Sequence, residues 1–255
     1  MILSHEHRFV FIKGIKVGGT SAEIALSQIC GVGDIVTPIM PADERYRLGT
    51  AGEPRNYATH LYPPPIRRQV ERRYVQNIRD ASPERLASIR LPRSRFYNHM
   101  PLSRVLQLVP QAQQYELLFV ERSPYAKVLS LANWSRNESA YRRGATADNS
   151  ASQVAAEVDR LIDEDKITRV LNISRYRDFD GRIDSPPWKT TSLGEDIARF
   201  FEARGLAAPS VVNAKKGLRS EKHEPATVLK AHQINVINEL FAEEFAFFGW
   251  PIIKP

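Results

Sequence analysis

Residues 8–23 gather the groups best suited to holding an anion. Gly14, Gly18 and Gly19 let the backbone turn sharply, so that successive N–H groups point at one acceptor. Thr20 and Ser21 open the following helix, whose positive N-terminal end adds to the attraction. Lys16 stands inside the bend and supplies a full positive charge. The apolar run Phe9, Val10, Phe11, Ile12 just before the glycines is too short for a helix and rich in β-formers, so it predicts a buried strand feeding the loop.

An ATP-type loop requires Gly, four residues, then Gly-Lys-Ser/Thr. Counting from Gly14 places Gly19 and Ser21 correctly, but Thr20 occupies the lysine position and Lys16 lies four residues earlier. Such a loop still holds a phosphate. It lacks the lysine that a nucleoside triphosphatase aims at the β- and γ-phosphates, which argues against ATP as the ligand.

The surrounding elements must position this loop. A helix is expected from Thr20 to about Ile29, then a Pro/Gly-rich passage over 31–65 that is either a substrate-binding lid or surface elaboration. The Gly31-Val32-Gly33 pair has no third glycine at dinucleotide spacing and reads as a helix end and turn. Helices are expected over Ile66–Asp80 and Pro83–Leu91, and a brief strand over Arg95–Asn98 that ends at His99. Pro101 starts a helix, Leu117–Glu121 makes a second buried strand, and Pro124 begins another helix at the first-turn position that proline tolerates. Strand, special residue and helix start therefore recur three times, and in open α/β sheets ligands gather at the carboxyl ends of the strands. Farther on, Val154, Val158, Leu161 and Ile162 mark an amphipathic helix, 168–173 a third strand, and Leu193, Ile197, Phe200 and Phe201 another helix. A cationic loop over 211–224 and a long C-terminal helix from Val228 to Phe245 complete the pattern. No repeat or clear linker divides the 255 residues, so a single domain over 1–255 is expected.

Composition narrows the class. A hydrophobic content of 42% suffices for a core, and the net charge of +7 points to an anionic partner. The densest basic group, Arg67, Arg68, Arg72 and Arg73, has helical spacing and reads as a solvated helix face, not a nucleic-acid stripe. Cys30 is the only cysteine, which excludes a disulfide framework and a thiolate cluster and suggests a reducing compartment. The first residues lack the apolar core of a signal peptide and no stretch is long enough to span a bilayer, so a cytoplasmic location is expected.

The residues carry a family resemblance. Phe11 to Ser21 resembles the 5′-phosphosulfate-binding element of the sulfotransferases that use 3′-phosphoadenosine 5′-phosphosulfate (PAPS), in particular the carbohydrate-type and bacterial members. Val120-Glu121-Arg122-Ser123-Pro124-Tyr125, with Ser130 eight residues after Arg122, is similar to their 3′-phosphate site. Glu121 is inserted there between valine and arginine, and Ser123 replaces the usual aspartate. Tyr97 to Pro101 resembles the Asn-His element that supplies a catalytic base, and Leu240 to Trp250 the family's C-terminal helix.

The resemblance implies an α/β fold of the P-loop-containing sulfotransferase type, with a central parallel β-sheet flanked by helices. It implies transfer of a sulfuryl group from PAPS to a hydroxyl, with adenosine 3′,5′-bisphosphate as the by-product and a carbohydrate or glycolipid as acceptor. Gly18, Gly19, Thr20 and Ser21 would hold the 5′ end of the donor, and Arg122 and Ser130 its 3′-phosphate. Lys16 would neutralise the bridging oxygen, and His99 would take the acceptor's proton, with His60 in reserve. Lys13 either touches the donor or lies on the surface; Lys215, Lys216 and Arg219 either close over the ligand or are solvated; Trp134, Tyr141 and Trp188 either stack on a ring or pack. His5 and His7 do not make the His-Glu-x-x-His pattern, and no metal is required because Lys and Arg supply the positive charge. Two other readings stand beside this one: a P-loop nucleotide kinase, and a basic polyanion-binding module without catalysis.

Overall fold

The computed structural model describes residues 1–142, 150–209 and 224–255, with 138–142 by backbone alone. Strands β1 (Ile2–Ser4) and β2 (Phe9–Ile12) lead into helix α1 (Gly19–Ser27). Strand β3 (Ile35–Val36) precedes α2 (Pro41–Leu48), α3 (Pro64–Asp80), α4 (Pro83–Leu86) and α5 (Leu102–Leu108). Strand β4 (Glu116–Glu121) runs into α6 (Pro124–Arg142), followed by α7 (Ala151–Asp163), α8 (Ile173–Tyr176), strand β5 (Trp188–Lys189) and α9 (Leu193–Glu202). Helices α10 (Pro225–Val228), α11 (Ala231–Leu240) and α12 (Ala242–Phe248) end the order. The chain divides into two compact units: Met1–Lys13, Gly18–Val120 and Arg175–Ala214 form the first, and Gly14–Val17, Glu121–Ser174 and Lys215–Pro255 the second.

The first unit is α/β. Its five-stranded open sheet has the order β3-β1-β2-β4-β5 and is flanked by helices, with α1 packed on β1 and on α9, and α9 on β5. The sheet is mixed, which corrects the expected parallel one: β1 runs antiparallel to β2 and β3, while β2 and β4 are parallel with Phe9 opposite Glu116 and Ile12 opposite Phe119. The short link from Ser4 to Phe9 permits only a hairpin, whereas the long crossover from β2 to β4 permits the parallel pair. Asp34 pins that hairpin by accepting from the His5 N–H at 2.6 Å and the Ser4 hydroxyl at 2.8 Å. Aromatic rings fill the interior, with Phe119 stacked on Tyr176 and Phe9 edge-on to Phe200. Trp188 meets Phe200 as well.

The passage over 31–65 is more ordered than its composition suggests. It contains β3 and α2, and α2 is held by an ion pair in place of an apolar face. Arg47, fully buried, donates to Glu44 through Nε at 2.7 Å and Nη2 at 2.6 Å, and to the Thr37 carbonyl at 2.9 Å. A bidentate pair of this kind leaves no hydrophobic periodicity to read. Residues 95–98 form a turn and not a strand, because the N–H groups of Arg95 and Phe96 both donate to the Tyr57 carbonyl, at 2.9 and 3.0 Å. The strand expected over 168–173 is instead a 3-10 turn over Ile167–Val170 leading into α8.

The second unit is helical among its described residues. Val154, Ala155, Val158 and Leu161 form the buried stripe of α7 and join Val128, Leu129 and Ala132 of α6 in one core. The long C-terminal helix is three segments: Phe241, with φ −104°, separates α11 from α12, and Gly249 at φ 65° closes α12 in a left-handed cap. No helix among the described residues is long and apolar enough to cross a membrane.

Candidate functional site

In the first unit one glycine of the loop takes a left-handed turn. Gly18 caps α1 with φ 79°, and a Cβ there would lie 3.3 Å from the Thr190 methyl in addition to the conformational strain. No side chain caps the helix and no acidic residue enters its first turn. Gly19 and Thr20 are buried and Ser21 half-buried, with the Ser21 N–H bonded back to the Gly18 carbonyl at 3.2 Å. A helix start without a side-chain acceptor leaves its positive end for an external anion.

His99 belongs to the same unit. Its Nδ1 lies 3.0 Å from the carbonyl oxygen of Lys13, the residue that follows β2 and precedes the glycine loop. A carbonyl only accepts, so Nδ1 carries the proton and Nε2 keeps its lone pair. Burial, and then the nearby positive charge of Lys13, lower the imidazole pKa from 6.5 to about 4, so the ring is neutral at physiological pH. Arg175 Nη1 donates to the His99 carbonyl at 2.9 Å and secures the turn from the other side. The backbone of His99 has φ 61° and that of Lys16 φ 63°, both in the left-handed region. Non-glycine residues held there by their surroundings cluster at functional sites. His60 shares the conformation at φ 67° but is exposed on its turn, and among the described residues no side-chain hydrogen bond orients its ring.

Lys13 is not a surface residue. Its ammonium is buried and donates to Glu23 of α1 at 2.9 Å, and the Met1 amino group reaches the other oxygen of Glu23 at 2.5 Å. Burial opposes the ionised form of Glu23, yet Lys13, the Met1 amino group and Arg47 hold its carboxyl well below the usual carboxylate range.

The second unit brings Lys16, Arg122 and Ser130 onto one framework. Lys16 Nζ lies 4.9 Å from the centre of the Trp134 ring, and Ser130 stands one helical turn before Trp134 on the same side of α6. Arg122 precedes α6 and is half-buried; its N–H donates to Glu121 Oε1 at 2.8 Å. Ser123 caps α6 by accepting from the Ala126 N–H at 3.4 Å.

Glu121 also has a defined place. It is fully buried, 3.1 Å from Lys127 Nζ, and Lys127 bonds in turn to Glu244 of α12. Glu244 Oε1 accepts from the N–H groups of Asn172 at 2.6 Å and Ile173 at 3.0 Å. The Asn172 amide grips the loop: Oδ1 accepts from the Ile15 N–H at 2.8 Å, and Nδ2 donates to the Ile15 carbonyl at 3.1 Å. Burial, with Glu244 nearby, pushes the Glu121 carboxyl up to about 7 despite the pull of Lys127.

The site residues fall into two groups: Gly18, Gly19, Thr20, Ser21 and His99 in the first unit, and Lys16, Arg122 and Ser130 in the second. Lys215, Lys216 and Arg219, and the Tyr141 side chain, lie outside the described residues. Among the described residues no cluster of three or more His, Cys, Asp or Glu is placed to hold a metal ion. No family model matches the chain, and no curated protein or solved structure is matched by it.

Sequence reasoning gave no role to Glu23, Lys127, Asn172, Arg175 or Glu244. For two of them a signal existed: Asn172 interrupts the apolar run Val170, Leu171, Ile173, and Glu23 lies between Ala22 and Ile24. A polar residue inside an apolar run is buried at a cost unless it is hydrogen-bonded, so each marks a partner worth seeking.

Proposed function

We propose that the chain is a sulfotransferase of the P-loop-containing type that moves a sulfuryl group from PAPS to a hydroxyl on a carbohydrate or glycolipid. The observation that carries the reading is His99: a neutral imidazole with Nδ1–H committed to the carbonyl that precedes the anion-binding loop, and Nε2 left as the base. The acceptor oxygen forms a bond to sulfur as the bond from sulfur to the phosphate oxygen breaks, and the acceptor's proton passes to His99 Nε2. Lys16 offsets the charge that develops on the departing oxygen, while the N–H groups of Gly18, Gly19 and Thr20 and the Ser21 hydroxyl hold the 5′-phosphate. Arg122, a planar fork, and Ser130 hold the 3′-phosphate. Two anionic ends on the donor account for two anion-binding groups in the protein, and the displaced Lys16 accounts for a ligand other than ATP.

Calorimetric titration with adenosine 3′,5′-bisphosphate in the absence of Mg²⁺ tests the reading. Binding is expected, and ATP binding with none to the bisphosphate would overturn it in favour of a kinase. His99→Ala is expected to keep bisphosphate binding and to lose transfer by about 10²–10⁴-fold; unaltered turnover would remove His99 from the mechanism.

A further inference from the structure

A continuous buried network in the second unit runs between its two candidate anion-binding cations, Lys16 and Arg122. At one end the Arg122 N–H donates to Glu121 at 2.8 Å. Lys127 then joins Glu121 to Glu244, and Glu244 accepts from the Asn172 N–H at 2.6 Å. At the other end Asn172 holds both backbone groups of Ile15, the residue before Lys16. Glu121, Lys127, Asn172 and Glu244 are all fully buried.

Stability alone is a poor reason for such a network, since apolar replacements of buried ion pairs are often as stable or more so. Its yield is geometric. The two bonds from Asn172 fix the peptide groups on both sides of Ile15, which leaves Lys16 one residue from a fixed point and in its left-handed conformation. Glu121 fixes the peptide of Arg122 in the same way and, through Lys127, ties it to the first turn of α6.

We propose that the Glu121–Lys127–Glu244–Asn172 relay sets the separation between Arg122 and Lys16, and so selects a ligand carrying two anionic groups at a fixed spacing over one carrying a single group. This rests on the donor reading above. In that reading the two groups are the 3′- and 5′-phosphates of one nucleotide, and a single phosphate engages Lys16 whether or not Arg122 is in register. Asn172 and Glu244 are then positioning residues for nucleotide selectivity, although neither touches the nucleotide.

The test is a ratio of affinities, measured by calorimetry with adenosine 3′,5′-bisphosphate and adenosine 5′-monophosphate. Wild type is expected to prefer the bisphosphate by about a hundredfold, the gain from simultaneous engagement of a second site. Asn172→Asp keeps an acceptor for the Ile15 N–H and loses the donor to its carbonyl. It is expected to cut the preference to about tenfold or less while the monophosphate affinity moves by less than about threefold. Arg122→Ala should abolish the preference, and adding Asn172→Asp to it should cost nothing more, because both changes remove the same coupling. A purely structural residue would weaken both nucleotides together and would add to Arg122→Ala. If Asn172→Asp retains the wild-type ratio, the relay is overturned and the donor reading stands. If wild type has no preference for the bisphosphate, the donor reading falls and the relay with it. Should Asn172→Asp not fold by circular dichroism, Glu244→Gln gives the ratio in its place, since it keeps an acceptor for the Asn172 N–H and loses the charge that holds Lys127. An unchanged ratio there overturns the relay equally.

Discussion

Lys13 in the first unit and Lys127 in the second are both buried beside candidate anion-binding groups, but the charges around them are unbalanced in opposite senses. Around Lys13 there is one carboxylate, Glu23, shared with the Met1 amino group and further influenced by Arg47. Around Lys127 there are two carboxylates, Glu121 and Glu244, for one ammonium. The surplus of positive charge keeps Glu23 ionised and helps to keep His99 neutral, whereas the surplus of negative charge, added to burial, raises Glu121 to about 7. Similar side chains therefore respond to pH in opposite directions. Glu23, with its pKa lowered, contributes stability that is present above the ordinary carboxylate range and is lost as pH falls below it. Glu121, with its pKa raised from 4.5, contributes stability that is full below 4.5 and is lost as pH rises through about 7.

The sharpest way to break the comparison is to remove one side of each cluster. Lys127→Met leaves two buried carboxylates without their cation and is expected to cost about 3–5 kcal/mol at neutral pH. Urea denaturation should show part of that cost recovered as pH falls and the carboxylates take up protons. Glu23→Gln leaves Lys13 without its carboxylate, at a cost of about 3 kcal/mol at neutral pH, and the difference from wild type should shrink as pH falls and wild type loses the Glu23 contribution. If neither cost changes with pH, the charge imbalance in the two clusters is wrong.

What was legible in the sequence follows the same division. The β2 strand, the glycine turn and α1 were readable because a compact apolar run and glycines at required turns leave local marks. Helices α5, α6, α7 and α9 were readable from proline starts and apolar stripes. Strand β1 was missed because its three residues are too few for a pattern, and with it the mixed character of the sheet. Helix α2 was missed because Arg47 and Glu44 occupy the buried face that apolar residues normally mark. The candidate site residues were chosen by type and spacing. The partners of Asn172, Glu244 and Arg175 were not legible, since each acts through a backbone group distant in sequence; Asn172 left only the mark of a polar residue inside an apolar run.

A smaller and more local test concerns His99, where burial and Lys13 act together. With its pKa lowered to about 4, the acid limb of transfer should lie well below the 6.5 of an ordinary imidazole. Folding stability should change in the same window: the unfolded chain binds the proton near 6.5 and the folded one only near 4, so the His99 contribution is full above 6.5 and declines as pH falls towards 4. Lys13→Met removes the second largest of the causes that lower it, so its acid limb should move part of the way back towards 6.5. A limb at 6.5 in wild type would show that the ring is not held as the Nδ1–H tautomer beside the Lys13 carbonyl.

The smallest expected effect lies at the start of α6, and it asks whether the Glu121–Lys127 pair alone fixes that helix. Ser123 accepts from the Ala126 N–H at a long 3.4 Å, so Ser123→Ala should cost about 0.5–1 kcal/mol, the low end for an N-cap. Ser123→Asp should recover this and add a few tenths of a kcal/mol, because a carboxylate at a helix N-terminus meets the positive end of the dipole. In Lys127→Met, where the buried tie between strand end and helix is gone, the cap is the remaining local anchor, and Ser123→Ala should cost more than it does in wild type. Equal costs in the two backgrounds, read from urea midpoints, would mean that cap and ion pair hold α6 independently.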